Sequence, residues 1–135
     1  MLGLALSGGG MRGIAHIGLL KVLKEEGIEP QVVAGASAGA IVGALHAAGV
    51  SCEDMLQFFR DTELFDLSKF TLWKPGLLDL EKYEPEFADF FPRDSFEELD
   101  KKLIVVASDI LAGEMVTFTS GSLIKAVLTS SAFPW

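Results

Sequence analysis

The fold is decided by the stretch Val32-Val33-Ala34-Gly35-Ala36-Ser37-Ala38-Gly39-Ala40-Ile41-Val42. In this stretch a short apolar run leads into a G-x-S-x-G pentapeptide, and small helix-forming residues follow it. The pattern predicts a strand over 31–35 that turns sharply at Ser37 into a helix over 37–48. Such a turn exposes the serine hydroxyl at the carboxyl end of the strand, because Gly35 and Gly39 keep neighbouring side chains from colliding with it.

Ser37 therefore has the layout of a nucleophile, with Gly35, Ala36, Ala38 and Gly39 forming its elbow. The helix that begins there directs unpaired N–H groups and a partial positive charge at any negative charge that develops beside the hydroxyl. The pentapeptide alone is a loose pattern, since Gly, Ala and Ser are common residues. A second motif is needed to support it.

The second motif is a glycine-rich loop near the start of the chain. A predicted strand over 2–6 is followed by Ser7-Gly8-Gly9-Gly10-Met11-Arg12-Gly13, and a predicted helix covers 11–26. A glycine-rich loop between a strand and a helix exposes several backbone N–H groups and can hold an anion. Because neighbouring parallel strands bring their following loops to the same edge of a sheet, this loop is predicted to form an oxyanion hole for Ser37. The residues of that hole are Gly8, Gly9, Gly10, Met11, Arg12 and Gly13.

The same loop also matches the dinucleotide-binding pattern G-x-G-x-x-G, at Gly8, Gly10 and Gly13. A nucleotide site of this kind needs an Asp or Glu at the end of the second strand, where it holds a ribose hydroxyl. Here that strand ends in Gly35-Ala36-Ser37, and the glutamates within 25–29 all precede it. The sequence therefore disfavours a nucleotide, and no cofactor is expected.

With both motifs in place, the sequence resembles the patatin-like phospholipases, the small bacterial members in particular. The resemblance covers nearly the whole chain. The matching segments are Ser7-Gly8-Gly9-Gly10-Met11-Arg12-Gly13 with His16-Ile17-Gly18, then Gly35-Ala36-Ser37-Ala38-Gly39, Ser108-Asp109 and Ser131-Ala132-Phe133-Pro134. The resemblance implies a three-layer α/β fold with a mostly parallel central sheet flanked by helices. It also implies that Ser37 is the nucleophile and that the amides of the Gly8–Arg12 loop form the oxyanion hole.

The general base implied by the resemblance is an aspartate in an Asp-Gly-Gly or Asp-Gly-Ala motif, which forms a Ser-Asp dyad without histidine. No aspartate in these 135 residues is followed by glycine. In the family this aspartate comes shortly after the Ala-Phe-Pro segment, and the sequence ends at Trp135, directly after Pro134. We therefore expect the chain to be the amino-terminal part of a longer protein, truncated on the carboxyl-terminal side of the fold. The 135 residues alone are expected to be inactive, because they lack the base.

Neither histidine is expected to replace that aspartate. His46 lies nine positions after Ser37 on the same predicted helix, which places it about 13 Å away at ~1.5 Å per residue. His16 is expected to pack or hydrogen-bond beneath the glycine loop. Asp109 follows a predicted strand over 103–107 and is expected to be a turn residue. The sequence contains no cluster of metal-ligating residues, and no metal is expected.

The composition excludes some classes of partner. The chain has 135 residues, half of them apolar, and a mean hydropathy of +0.39, as expected for a domain with a largely buried sheet. A net charge of −8 without a cluster of Lys or Arg argues against nucleic acid binding and against electrostatic attachment to anionic lipid. We expect any contact with a bilayer to be peripheral and apolar. The single Cys52 and the lack of an evident signal peptide indicate the cytoplasm.

One apolar stretch is long enough for a membrane span. Residues 32–50 contain no formally charged side chain, and Gly35, Gly39 and Gly43 repeat at the spacing used by pairs of membrane helices. The stretch contains several glycines and few large apolar residues, which makes it a poor spanning segment. The preceding strand and helix also require a second parallel strand at this point. We therefore expect a strand and a helix here instead of a continuous span.

The remainder of the chain is predicted to be a helical segment followed by two strands and a helix. Helices are predicted over 52–61, 79–91 and 95–101, strands over 103–107 and 115–119 with the latter antiparallel, and a last helix from Ser122 that ends before Pro134. Residues 51–101 form a predicted helical cap, which holds eight of the ten phenylalanines. Most of these aromatic side chains are expected in the core. The better candidates for an exposed lip facing lipid are Phe70, Leu72, Trp73, Leu77 and Leu78.

The expected function is hydrolysis of carboxylic esters in lipids, as in a phospholipase A, a lysophospholipase or an esterase. The reaction would pass through an acyl-enzyme on Ser37, with the base outside these residues. Two alternatives remain. One is a catalytically silent or regulatory member of the same fold, and the other is an acyltransferase that passes the acyl group to an alcohol.

Overall fold

The computed structural model describes residues 1–62 and 83–132 of the chain. Strands in these residues are β1 (Gly3–Leu6), β2 (Val32–Ala36), β3 (Lys102–Asp109) and β4 (Glu114–Phe118). They form a four-stranded sheet of order β1-β2-β3-β4. The first three strands are parallel, and β4 pairs antiparallel with β3. The predicted α/β fold with a mostly parallel central sheet is confirmed.

Five α-helices accompany the sheet in the described residues. They are α1 (Ile14–Glu25), α2 (Ala38–Ala47), α3 (Cys52–Thr62), α4 (Glu84–Phe90) and α5 (Leu123–Ser131). α1 joins β1 to β2, because two parallel neighbours need a crossover connection. α2 and α5 pack against the sheet. Ser122, predicted to begin the last helix, is the residue that caps α5.

The structure moves several predicted boundaries. The predicted helix over 11–26 becomes an α-helix only at Ile14, because the glycine loop first forms a 3-10 turn over Gly10–Gly13. β3 continues to Asp109, beyond its predicted end, since β4 pairs with it as far as Glu114. The predicted antiparallel direction of β4 is confirmed.

The predicted helix over 95–101 is wrong. The segment forms one 3-10 turn, Phe96–Glu98, and the next residue is already extended. The N–H groups of Asp100 and Lys101 then both donate to the carbonyl of Ala47, at the end of α2. These bonds to α2 replace the bonds that a helix would make to its own preceding turn, so the chain enters β3 directly.

α2 is the buried centre of the fold. Every residue of this helix except His46 is buried, including Ile41, Val42 and Leu45. A large apolar side chain that leaves water contributes roughly 1.5–3 kcal/mol, so α2 supplies a substantial part of the core. The apolar stretch 32–50 is thus divided between β2 and α2, and within the described residues no helix is long and apolar enough to span a bilayer.

α2 approaches the sheet closely because it lacks side chains at the points of contact. A Cβ atom built on Gly39 would lie 2.1 Å from the carbonyl oxygen of Leu6 and 2.7 Å from that of Ser7. A Cβ atom built on Gly35, on the strand below, would lie 2.3 Å from the carbonyl oxygen of Gly39. No side chain fits in either place, so the start of α2 rests directly on the ends of β1 and β2.

In the part of the chain that the structure describes, five phenylalanine side chains of the predicted cap are buried in the core. The buried ones are Phe58, Phe59, Phe87, Phe91 and Phe96. The ring of Phe58 lies 5.2–5.7 Å from three neighbouring phenylalanine rings, centroid to centroid, which confirms the expected core role. The start of the predicted helix over 79–91 lies outside the described residues. So do the predicted lip residues Phe70, Leu72, Trp73, Leu77 and Leu78.

We expect Gly39→Ala to lower the free energy of unfolding by at least about 3 kcal/mol, because its methyl group would collide with backbone atoms of β1. Gly18→Ala is the matched control, since Gly18 also lies in a helix and a Cβ built there meets nothing within 4 Å. That control is expected to raise the free energy of unfolding by about 0.5–1 kcal/mol. Urea unfolding followed by circular dichroism measures both variants. Equal stability of the two would contradict the close approach of α2 to the sheet.

Candidate active site

Ser37 forms the turn between β2 and α2. Its backbone has φ 52° and ψ −121°, and Asp94 is the only other non-glycine residue with positive φ among those described. A conformation of this kind costs on the order of 1–3 kcal/mol and persists only where the surrounding structure holds it. The Ser37 carbonyl accepts bonds from the N–H groups of Ala40 (2.9 Å) and Ile41 (3.1 Å), which begins α2 directly after the turn. The predicted strand, turn and helix are all present.

The glycine-rich loop lies against this serine. β1 and β2 are parallel neighbours in which Leu6 pairs with Gly35, so both following loops start at the same edge of the sheet. A Cβ atom built on Gly8 would lie 3.3 Å from Ser37 Cβ and 4.0 Å from Ser37 Oγ. The two motifs therefore meet, as expected for loops that follow adjacent parallel strands.

Both ends of the glycine-rich loop are held by α-helices. At its start, His16 Nε2 donates to the carbonyl of Ser7 at 2.8 Å, which is the hydrogen-bonding role expected for His16. At its end, Gly13 is buried against α2, where a Cβ on Gly13 would come within 2.5 Å of Ala38 Cβ. The loop is thus tied to α1 on one side and to the helix of Ser37 on the other.

The middle of the loop depends on glycine. Gly9 and Gly10 have φ values of 154° and 59°, which a residue with a side chain adopts only at a cost. The Arg12 N–H donates to the Gly9 carbonyl at 3.1 Å and closes the turn. Met11 and Arg12 are exposed. The loop therefore keeps its shape through the backbone.

The start of α2 sets the electrostatic surroundings of Ser37. No acidic residue lies in the first turn of this helix, and no side chain caps its N–H groups. The unpaired N–H groups of a helix start carry a partial positive charge. The Ser37 turn is therefore a favourable place for a negative charge.

A residue that the sequence did not single out completes the turn. The Ser37 N–H donates to Ser130 Oγ at 2.8 Å, and Ser130 Oγ donates to the carbonyl of Val106 at 2.6 Å. Ser130 lies 93 positions later, on α5, so no local pattern connects it with Ser37. The available signal was its place directly before the segment Ser131-Ala132-Phe133-Pro134, one of those that carry the resemblance.

Asp109 has the turn role expected from the sequence. Its Oδ1 accepts bonds from the N–H groups of Leu111 (3.0 Å) and Ala112 (3.1 Å), which closes the turn between β3 and β4. The carboxylate is therefore engaged in the turn. Within residues 1–62 and 83–132, no group of three or more His, Cys, Asp or Glu side chains lies close enough to hold a metal ion.

His46 and Cys52 lie near the opposite end of α2 from Ser37. Both line a cleft of about 230 Å³ bordered by α1, α2 and the start of α3. Burial lowers the pKa of His46, the charge of Lys101 lowers this pKa further, and Glu29 acts in the opposite direction. His46 Nε2 is buried without a hydrogen-bond partner. These surroundings favour a neutral imidazole at a distance from the serine.

A mostly parallel α/β sheet with a glycine-rich loop and a serine turn meeting at one edge defines the class of protein. The chain belongs to the family described as patatin-like phospholipase, whose model matches residues 4–135.

The chain is similar to other proteins in sequence and to solved structures in fold. The chain is 36% identical over 133 residues to an uncharacterised NTE family protein of Mycobacterium tuberculosis, and 34% identical over 139 residues to neuropathy target esterase sws of Drosophila melanogaster. Its fold is similar to the type III effector ExoU of Pseudomonas aeruginosa, with a TM-score of 0.69 and 20% identity. It is also similar to VipD from Legionella pneumophila, with a TM-score of 0.63 and 17% identity.

The matched region is a part of each of these longer proteins. The comparisons cover 97% of this chain and 37% of the mycobacterial protein, and 96% of this chain and 10% of the Drosophila protein. For the structures they cover 96% of this chain and 39% of ExoU, and 93% of this chain and 41% of VipD. The chain therefore spans about two fifths or less of the length of these proteins.

The lowered pKa of His46 predicts a stability that depends on pH. A histidine with a lower pKa in the folded state binds more protons when unfolded, so its contribution is complete above the ordinary value of 6.5 and is lost as the pH falls towards the folded value. Urea unfolding at about pH 7.5 and about pH 5 measures this change. Between these two pH values, we expect the free energy of unfolding to fall more in the wild type than in His46→Gln. Both proteins contain His16, so its contribution is the same in both. An equal pH dependence would contradict a partly buried, neutral His46.

Proposed function

We propose that this protein is a serine acyl hydrolase that cleaves carboxylic esters of lipids, with Ser37 as its nucleophile. The observation that carries the proposal is the close approach of Gly8 to Ser37, where a Cβ built on Gly8 would lie 3.3 Å from Ser37 Cβ. This approach sets a glycine-rich loop against a strained serine at the start of a buried helix. Membership of the patatin-like phospholipase family supports a lipid ester as the substrate. One relative is itself named an esterase.

In the proposed reaction, Ser37 Oγ attacks the carbonyl carbon of the ester while a general base takes its proton. The negative charge that develops on the carbonyl oxygen is stabilised by N–H groups of the Gly8–Arg12 loop and by the positive end of α2. The ester C–O bond then breaks, the alcohol leaves with the proton, and the acyl group stays on Ser37. Water, activated by the same base, releases the fatty acid and restores the serine.

The hydrogen bond between His16 and Ser7 supports the proposed role of the loop. The C=O and N–H of a trans peptide point in opposite directions. Because the Ser7 carbonyl is held towards His16, the Gly8 N–H of the same peptide is turned away from that histidine. Gly8 is also the glycine whose added Cβ would lie 4.0 Å from Ser37 Oγ. A donor of this kind is worth on the order of 10²–10³ in rate.

The general base is proposed to be an aspartate outside these 135 residues. The family resemblance assigns this role to an Asp-Gly motif, and the resulting pair is a Ser-Asp dyad. Asp109 lies at the carboxyl end of β3, the same edge of the sheet as Ser37. Its carboxylate already accepts hydrogen bonds from N–H groups of the β3–β4 turn. The similar proteins extend well beyond the matched region, which leaves room for such a motif in a polypeptide of their length.

The substrate is proposed to come from a lipid surface that the protein contacts peripherally, from the cytoplasm. Met11 on the glycine-rich loop is 55% exposed, and Ile110 and Leu111 in the β3–β4 turn are 62% and 96% exposed. Both segments follow the carboxyl ends of parallel strands, the edge of the sheet where Ser37 lies. The net charge of −8 offers no attraction to anionic headgroups, so this contact depends on apolar side chains.

Ser37→Ala in the complete gene product is expected to reduce hydrolysis of a p-nitrophenyl acyl ester by at least about 10³-fold, because no hydroxyl remains to form the acyl-enzyme. Alanine keeps the Cβ atom and the backbone, so Tm should change by less than about 3 °C. Labelling by a fluorophosphonate, followed by intact-mass spectrometry, should be lost as well. Ser120→Ala, at an exposed serine, is the control and should leave hydrolysis and labelling unchanged.

The outcomes of this experiment separate the remaining alternatives. Undiminished hydrolysis by Ser37→Ala would reject Ser37 as the nucleophile. A wild-type protein that neither hydrolyses the ester nor reacts with the fluorophosphonate would be a catalytically silent member of the family. A new ester formed in the presence of an alcohol acceptor, at the expense of free acid, would identify an acyltransferase.

Gly8→Ala is expected to lower kcat/KM about tenfold or more with little change in Tm, because its methyl group would press on Ser37 and on the space beside its hydroxyl. Gly3→Ala is the matched control on the preceding strand. A Cβ built on Gly3 lies 3.8 Å from the Val32 carbonyl oxygen, an ordinary contact. Ester hydrolysis and thermal unfolding of both variants provide the measurement. Equal activity of the two would argue against a catalytic role for the Gly8 contact.

A further inference from the structure

The N–H of Ser37 is held by a residue from the far end of the described chain. β2 leaves the sheet at Ala36, whose register partner on β3 is Val106. One residue later, the Ser130 hydroxyl joins the two strands: it accepts from the Ser37 N–H at 2.8 Å and donates to the Val106 carbonyl at 2.6 Å. A hydroxyl has one proton, so its donation to the carbonyl leaves the lone pairs for the N–H. The Ser130 hydroxyl can therefore bond the Ser37 N–H and the Val106 carbonyl at the same time, and only one orientation of its proton allows this.

This arrangement is particular to Ser130. Its neighbour Thr129 makes the bond usual for a hydroxyl within a helix, to the Lys125 carbonyl four residues earlier, at 2.7 Å. Its other neighbour, Ser131, is 3% exposed, and its hydroxyl has no hydrogen-bond partner. Of these three adjacent hydroxyl groups, the one at Ser130 reaches the sheet.

α5 gives the Ser130 hydroxyl a fixed position. Leu123, Ala126 and Val127 on this helix are buried, and the helix packs against β3 and α2. A side chain on a packed helix holds its partner more closely than one on a loop. The Ser37 turn, which is strained, is therefore braced by an element that is itself part of the core.

We infer that Ser130 is a positioning residue for the nucleophile, an inference that rests on the proposed function of Ser37. Its hydroxyl holds the strained Ser37 peptide and so determines where Ser37 Oγ stands relative to the Gly8 amide. Because the Ser37 N–H donates to this hydroxyl, it is not available to the oxyanion. The oxyanion is then stabilised by N–H groups of the Gly8–Arg12 loop and of the first turn of α2. Ser130 acts through Ser37 and touches no reacting atom.

The test compares Ser130→Ala, Ser130→Thr and Ser131→Ala in the complete gene product. We expect Ser130→Ala to lower kcat by about 10–100-fold with KM within about twofold, because a displaced nucleophile reacts slowly while substrate binding is unchanged. Ser130→Thr keeps a hydroxyl and should recover most of kcat. Ser131→Ala removes an unpartnered hydroxyl from the next position and should keep the wild-type kcat.

Hydrogen exchange at the Ser37 N–H, followed by NMR, examines the same inference without relying on activity. Exchange is expected to be about tenfold faster or more in Ser130→Ala, close to wild type in Ser130→Thr and unchanged in Ser131→Ala. If Ser130→Ala does not fold, Ser130→Cys takes its place. A thiol is similar in size and forms weaker hydrogen bonds, so smaller losses are expected in both measurements.

A wild-type kcat in Ser130→Ala, together with the full loss in Ser37→Ala, would overturn the inference and leave the proposed function standing. A loss in Ser130→Ala that threonine does not recover, or that Ser131→Ala shares, would also overturn it, because either result would indicate general damage to α5. Undiminished hydrolysis by Ser37→Ala would instead remove the proposed function, and the positioning role of Ser130 with it.

Discussion

The contact of α2 with the sheet through Gly35 and Gly39 is the constraint on which the other features depend. Backbone meets backbone here: the Gly39 Cα lies so close to the Leu6 and Ser7 carbonyls that a single added carbon would overlap them. The start of α2 is therefore held directly above the end of β1. Because the loop after β1 begins at the same point, the Ser37 turn and Gly8 have to come close together.

The strained turn at Ser37 is maintained by hydrogen bonds that come from other elements. The hydroxyl of Ser130 on α5 holds the Ser37 N–H, and His16 on α1 holds the Ser7 carbonyl of the facing loop. Each bond satisfies a backbone group where the regular ladder of the sheet ends. A backbone conformation that is costly locally persists when packed elements on both sides hold it in place.

The features that the sequence predicted well depend on residues close together in the chain. The strand, turn and helix around Ser37 follow from a run of small and apolar residues, and the roles of His16 and Asp109 involve partners within nine residues. The predicted helix over 95–101 failed for the opposite reason. Its composition suits a helix, but the carbonyl of Ala47, more than fifty residues earlier, takes the N–H groups of Asp100 and Lys101.

Apolar periodicity and glycine spacing were enough to derive the α/β fold class, the two loops and the serine at the turn, since these depend on local sterics and on the rule that parallel neighbours share an edge. The resemblance to the family depended on the same two motifs and on the segments Ser108-Asp109 and Ser131-Ala132-Phe133-Pro134. The hydrogen bonds of Ser130 and the partial burial of His46 could be seen only in the packed structure. Both depend on where a distant helix or strand settles against α2, and that position is determined by the shape of the whole core and not by any short segment.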